Sequence, residues 1–343
     1  MSANLTGNIL KYQSFGESHG AGMGIVLEGC PAGLKVSEKN LQEELNRRRP
    51  GNHLWESSRK EPDKAHIVSG VYKGKTIGTP IAVLVSNKNF KSSEYDLIKK
   101  KPRPGHSEDL WKLKFSHYDH RGGGRSSGRE TLGRVIAGAF ARMLLKKLCP
   151  DLKALAFVRR IQQISLTDKE EQAVEKLIQK GANADSFSAR LPNKKKSKQA
   201  VELLLKSKKE GESLGSLLEL WIENIPKALG QPVFHKFKSD LAQGIMSLGA
   251  CCSFELGLGK DSSQAKGSEF HKKKSNYGGI RGGLTTGERI IIKVAFKPPS
   301  SYGKIARQGR FDPCIGPRAV PVLEAIAYFV TADHLLWQRL DRF

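Results

Sequence analysis

Cysteine is scarce in this chain. Its 343 residues hold five, at positions 30, 149, 251, 252 and 314, with no C-x-x-C pair and no zinc spacing. Neither a disulfide framework nor a metal site is therefore expected. His117 and His120 lie close together in sequence but have no third ligand motif nearby. Aromatic residues make up only 7% of the chain and do not interleave with its basic runs, which argues against a base-stacking surface for nucleic acid. No apolar run approaches the roughly 20 residues of a membrane span. The opening, MSANLTGNILKYQ, lacks the charged-then-apolar layout of a leader, so a cytoplasmic protein without a membrane partner is expected.

Acidic residues are also few, 34 against 58 Lys and Arg, and the net charge is +24. Taken alone, that excess points to nucleic acid, but its distribution does not. The lysines run together at 194–196, 206–209 and 272–274, as solvated loops and helix faces do. The arginines instead gather with glycines, at 47–49, at 121–129, at Arg281 and at 307–318. Planar bidentate donors in glycine loops suit a small, multiply anionic ligand better than a polymer.

Alternation predicts strands over 24–28, 66–72, 81–85, 218–225 and above all 289–296. Helical periodicity predicts helices from about 127 to 148, 168 to 179, 198 to 209 and 318 to 340, the last introduced by Pro317. With no repeat and no long linker, one α+β domain spanning 1–343 is expected, carrying a lysine-rich helical excursion at about 165–212.

The densest segment is PRPGHSEDLWKLKFSHYDHRGGGRSSGRET, 102–131. Ser127 and Glu130 have capping-box spacing, so a helix is expected to start near Ser127 and to offer its N–H groups, with Arg125, Ser126 and Arg129, to a phosphate or carboxylate. Two familiar patterns fail on context. Gly16-Glu17-Ser18-His19-Gly20 matches a nucleophile elbow, but Ala21-Gly22-Met23-Gly24 cannot start the required helix. Gly70 to Thr76 resembles a phosphate-binding P-loop but has one residue too few between its glycines. What remains is His19, His106 and Asp312, each in a loop beside arginine or glycine.

Eight ordered segments carry a resemblance to a known family: SFGESHG (14–20), NRRRPG (46–51), RKEPD (59–63), RPGHSED (103–109), YDHRGGGRSSGRET (118–131), GGIRGG (278–283), KPPSS (297–301) and GRFDPCIGPRAVP (309–321). In these the chain resembles the chorismate synthases. The resemblance implies a β-α-β sandwich of antiparallel sheets with interleaved helices, assembled as a homotetramer. It also implies a carbon–oxygen lyase that removes the 3-phosphate and a C6 hydrogen from 5-enolpyruvylshikimate-3-phosphate, giving chorismate at the end of the shikimate pathway to the aromatic amino acids. Reduced FMN is implied as a cofactor that is not consumed, with NADPH a candidate reductant for it.

By motif, the resemblance implies that His106 protonates the departing phosphate and His19 the flavin, that Asp312 acts with the flavin on the C6 proton, and that Ser18 relays it. It assigns the anionic substrate to Arg48, Arg125, Arg129 and Arg134. It assigns cofactor contacts to Arg48, Arg125, Ser126, Ser127, Gly249, Ala250, Gly282, Lys297, Pro298, Pro299, Ser300, Ser301 and Arg310. Two departures stand out. Phe311 replaces a family histidine and can neither hydrogen-bond to Asp312 nor carry charge beside it, so Asp312 is expected to be harder to ionise, and Leu54 stands near where an arginine associated with NADP contact often follows RRRPG. The rival classes are a basic nucleic-acid-binding protein, marked by salt-sensitive RNA binding without flavin, and a flavin oxidoreductase, marked by net redox change in its substrate.

Overall fold

The computed structural model describes residues 3–58, 61–88, 102–308 and 311–342. Strands β1 (Leu5–Thr6), β2 (Lys11–Gly16), β3 (Gly22–Glu28), β4 (Ala65–Ile67) and β7 (Ile81–Ser86) form an antiparallel sheet in the order β1-β2-β3-β7-β4. A small hairpin, β5 (Val71–Tyr72) and β6 (Lys75–Thr76), stands apart from it. The second sheet has the order β11-β14-β10-β8-β9 and is again antiparallel, with β8 (Lys153–Ile161), β9 (Ile164–Ser165), β10 (Ser216–Glu223), β11 (Cys251–Leu256) and β14 (Ile290–Phe296). The hairpin of β12 (Ile280–Arg281) and β13 (Leu284–Thr285) completes the strands described.

Nine α-helical segments are described: α1 (Glu38–Arg48), α2 (Glu108–Phe115), α3 (Thr131–Leu148), α4 (Asp168–Gln179), α5 (Lys194–Glu210), α6 (Phe237–Met246), α7 (Gly267–Phe270), α8 (Lys304–Gln308) and α9 (Gly316–Gln338). Helix α3 lies on the first sheet, α9 lies on the second, and the two pack on each other, which makes the expected sandwich. Their contact is close because Gly138 of α3 has no side chain: a Cβ there would come within 2.5 Å of Ala325 in α9. Leu132, Val135, Ile136 and Phe140 line the buried side of α3. Helix α9 is buried nearly all round, as a helix without a polar face must be. By length and hydropathy it could cross a membrane, contrary to the expectation that no apolar segment comes near a span, yet its most apolar window is wholly buried in this protein. Pro321 inside α9 lacks the N–H that would bond the Pro317 carbonyl, and the Arg190 guanidinium donates to that carbonyl instead.

Three expectations need correction. Residues 66–72 are not one strand: Gly70, at φ +82, turns the chain, and a Cβ there would lie 2.6 Å from the Ile81 side chain. The α-helix expected from Ser127 starts at Thr131, after a 3-10 turn at Gly128–Glu130. Ser127 Oγ does accept from the Arg129 N–H, but Glu130 turns to Arg134, so the reciprocal half of the capping box is missing. Lys194 to Lys196 are not loop residues but the first turn of α5, and Lys196 donates to the Ser165 carbonyl at 2.6 Å and to the Glu170 carboxylate.

Candidate active site

The site is organised by the turn Gly122-Gly123-Gly124, whose φ angles of +61, +79 and +52 exclude ordinary side chains. A Cβ on Gly122 would lie 2.2 Å from His19 Nδ1 and 2.9 Å from Ser18 Oγ. A Cβ on Gly123 would lie 3.0 Å from His106 Cε1. Adjacent glycines thus touch two histidines that are 87 positions apart in the chain, and only hydrogen at both α-carbons lets the rings come so near.

This turn borders a cavity of about 1140 Å³. Arg48, His106, Arg125, Ser126, Ser127, Arg129, Arg134, Gly249, Ala250, Lys297, Pro299, Ser300, Ser301 and Asp312 all lie on its wall. Ser18 and His19 are not on the wall; they are buried behind Gly122, which is. Pro298 is off the wall, and so is Gly282, in the turn between β12 and β13. Arg310 lies outside the described residues.

The cations differ in how far protein groups already satisfy them. Arg48 pairs with Asp63, and Arg129 donates to the other oxygen of Asp63 at 2.6 Å and to Asn87 Oδ1 at 2.9 Å. Burial opposes ionisation of Asp63, but these two guanidinium groups hold its carboxyl below the usual range. Arg48 is pushed down to about 10, first by burial and then by Arg318 and Arg129 working against the Asp63 charge; its Nε has no partner among the described residues. Arg134 spends its donors on Glu130 at 3.0 Å, Gly244 O at 3.1 Å and Ser247 Oγ at 2.7 Å.

Arg125 and Lys297 are different. Arg125 donates only to neutral oxygens, Gly16 O at 3.0 Å, Ser14 Oγ at 2.6 Å, and Asn4 Oδ1 and Ser14 O at 3.3 Å. Lys297 donates to Gly105 O at 2.9 Å and Ser300 Oγ at 3.2 Å. Neither has a carboxylate partner among the described residues, so both leave positive charge for an anion in the cavity. Ser126 Oγ accepts from Trp111 Nε1 at 2.5 Å and from Ser107 Oγ at 2.7 Å, which fixes α2 to the glycine turn.

His106 is held down to about 4, by burial first and then by the nearby charges of Arg103 and Lys297, so the ring is neutral near pH 7 in the protein alone. Asp312 accepts from the Ser57 N–H at 2.8 Å and from Arg318. Phe311 offers Asp312 no donor, and Arg318, in the first turn of α9, does. Phe311 instead lies under the Arg103 guanidinium, 5.5 Å from ring centre to carbon.

Arg103, Glu108, Asp63 and Arg318 were given no role from the sequence, although all four lie in motifs already quoted. The one signal available was the pairing of buried-type arginines with acids in those motifs. Among the described residues no cluster of three His, Cys, Asp or Glu is arranged to hold a metal.

A family model described as chorismate synthase matches residues 10–336. A protein of Bdellovibrio bacteriovorus named chorismate synthase is 48% identical over the whole of both chains. One of the same name from Rippkaea orientalis is 40% identical over 98% of each. A solved structure titled "Crystal Structure of Chorismate Synthase" superimposes with a TM-score of 0.76 at 28% identity, covering 97% of this chain and 93% of that one. With the match running from the second strand to the end of α9, the chain belongs to the chorismate synthase family.

Proposed function

We propose that the protein converts 5-enolpyruvylshikimate-3-phosphate to chorismate and phosphate by 1,4-elimination, with reduced FMN held in the same cavity. The observation that carries the reading is the contact of one glycine turn with both His19 and His106 beside two cations that have no carboxylate partner among the described residues. Arg125, Lys297 and the hydroxyls of Ser126, Ser127, Ser300 and Ser301 form a donor set that fits a phosphate and the polar edge of a flavin. Bound there, reduced FMN would supply the electron density that eases loss of phosphate from C3, with no net change in its oxidation state.

The chain's own groups supply binding and proton transfer. Arg125 and Lys297 take the anionic charge, while Arg48 and Arg129, anchored on Asp63, keep a rigid positive wall. Arg134 adds to the field, since its donors are already engaged. His106 delivers a proton to the departing phosphate oxygen, and because its ring is neutral in the protein alone, it gains that proton as the phosphate dianion arrives. His19, packed behind Gly122, would be the proton donor toward a flavin held in the cavity, and Ser18, against the same glycine, would relay the C6 proton. Asp312, oriented by Ser57 and Arg318, receives the C6 proton.

Anaerobic incubation of the protein with reduced FMN and the phosphorylated substrate tests this. Equal yields of chorismate and phosphate are expected, with flavin redox state unchanged and with NADPH replaceable by a chemical reductant. Light scattering on the same preparation reads the homotetramer. Net oxidation or reduction of the substrate, or no phosphate release, would refute the assignment.

A further inference from the structure

We propose that Glu108 is a positioning residue for His106, setting the ring so that Nδ1 carries its hydrogen and Nε2 faces the reacting phosphate. The inference rests on the reading of His106 as a proton donor. Glu108 is the first residue of α2, only 3% exposed, and its side chain folds back over the turn that holds His106. One carboxylate oxygen accepts from Arg103 Nε at 3.0 Å and from its terminal nitrogen at 2.5 Å; the other accepts from the Arg103 backbone N–H at 3.1 Å. The turn itself closes by a bond from the His106 N–H to the Arg103 carbonyl at 3.1 Å.

Within this closed loop the oxygen that grips Arg103 lies 3.3 Å from His106 Nδ1. Nδ1 is fully buried and makes no hydrogen bond among the described residues, so the Glu108 carboxylate acts on it by charge at close range, without hydrogen-bond geometry. Nε2 lies on the other edge of the ring, toward Gly123. A carboxylate beside one ring nitrogen favours hydrogen on that nitrogen, and so decides which one is left for chemistry. It also stabilises the imidazolium form once a second proton arrives.

The groups that bear on the ring are Arg103, Glu108 and Asp109 from its own segment and Lys297 from the end of β14. Arg103 offsets the Glu108 charge, and burial adds to that, so the ring stays neutral until an anion offsets Arg103 and Lys297 in turn. Arg103 is itself held from the cofactor side, by Ser301 Oγ at 3.1 Å and by the face of Phe311. Glu108 thus links the orientation of His106 to the loop that carries the flavin contacts.

Nitrogen-15 NMR of the histidine rings in the full protein, with the His106 signal assigned by its loss in His106→Ala, reads the tautomer directly. Hydrogen on Nδ1 is expected in the wild type and a mixture in Glu108→Gln. A wild-type ring with hydrogen on Nε2 would overturn the inference, whatever the variant does. In turnover, Glu108→Gln should lower kcat at least tenfold, leave KM within about threefold, and move the alkaline limb of the kcat profile down by about one pH unit, because the imidazolium has lost its counter-charge. Glu108→Asp should restore part of each effect. A Glu108→Gln enzyme with a lowered KM-side affinity but an unmoved pH limb would assign the residue to loop structure alone and refute the inference. Absence of chorismate with the wild-type protein would instead sink the reaction, and the tautomer measurement would still stand.

Discussion

Replacing Gly122 with alanine tests whether the glycine turn exists to let a histidine approach. Two costs follow from the geometry. An alanine at φ +61 pays the left-handed backbone penalty of roughly 1–2 kcal/mol. Its Cβ would also sit 2.2 Å from His19 Nδ1, well inside contact distance, so the ring must move. Gly33→Ala separates the two, because Gly33 has φ +81 but nothing within 4 Å of a Cβ. Urea melts of the ligand-free proteins should show Gly33→Ala destabilised by about 1–2 kcal/mol with turnover unchanged. Gly122→Ala should lose at least that much stability and, in anaerobic chorismate assays, about a hundredfold or more in turnover, as when a proton donor is displaced. If Gly122→Ala turned over like Gly33→Ala, the glycine would be a backbone requirement only, and His19 would have no part in the reaction.

Other perturbations bear on charge. Arg125→Ala should weaken inorganic phosphate and reduced FMN binding at least tenfold while changing the melting temperature little, whereas Arg134→Ala should cost stability first, since it ties α3 to α6; equilibrium dialysis and thermal melts separate them, and the reverse pattern would refute the division. Neutralising Lys194 and Lys195 should change neither stability nor KM measurably, but Lys196→Met should lose up to about 1 kcal/mol on melting, because Lys196 and the Thr167 backbone hold the Glu170 carboxyl down at about 2. Equal effects at all three positions would remove the distinction. For His106, a folded pKa near 4 against about 6.5 unfolded means the unfolded chain binds more protons between those values, so the ligand-free protein loses stability as pH falls through that window. The loss reaches at most roughly 3 kcal/mol from this residue, and His106→Gln should flatten the slope; an unchanged slope would show that the ring is not neutralised by its surroundings.

The legible parts of the fold were those where local chemistry and packing agree. Helix α4 runs over the predicted 168–179 because Thr167 and Glu170 close a full capping box ahead of an amphipathic stretch. Strand β14 shows plain alternation, with Ile290, Ile292, Val294 and Phe296 buried. Strand β8 was missed because Leu155 to Val158 are buried in succession, in a strand paired on both edges and packed against α9, and so do not alternate. Helix α1 was missed because it buries only Leu41, Leu45 and Arg48, too few apolar positions to show a period. In the site, the motifs marked which residues to gather, but not which cations were already spent. Arg125 and Arg134 read alike in sequence, and only the positions of Glu130 and Ser247 distinguish them. Glu108 was silent because two-residue spacing does not announce that a side chain folds back on its own turn.

The lysine-rich excursion, which carried no functional expectation, proves to brace the site from behind. Lys208, near the end of α5, donates to the Leu54 carbonyl at 2.9 Å and to that of Glu56. The next residue along that loop, Ser57, donates its N–H to Asp312. Just beyond α5, Gly211 O accepts from the Gly303 N–H at 2.7 Å, and the Leu214 N–H donates to Pro313 O at 2.8 Å. Gly211, at φ +73, allows this because a Cβ there would meet Gly303 O at 2.7 Å and Arg307 at 2.8 Å. One helix end therefore holds the chain on both sides of Asp312, at residues 54–57 and at Gly303 and Pro313. If Asp312 receives a proton from a fixed carbon, as proposed, it gains more from such anchoring than from further ligand contacts, since misplacement by an ångström is costly in rate. The charge of the excursion and its function are thus separable: most of its lysines face solvent, while Lys208 and Gly211 act through the backbone of the loops they support.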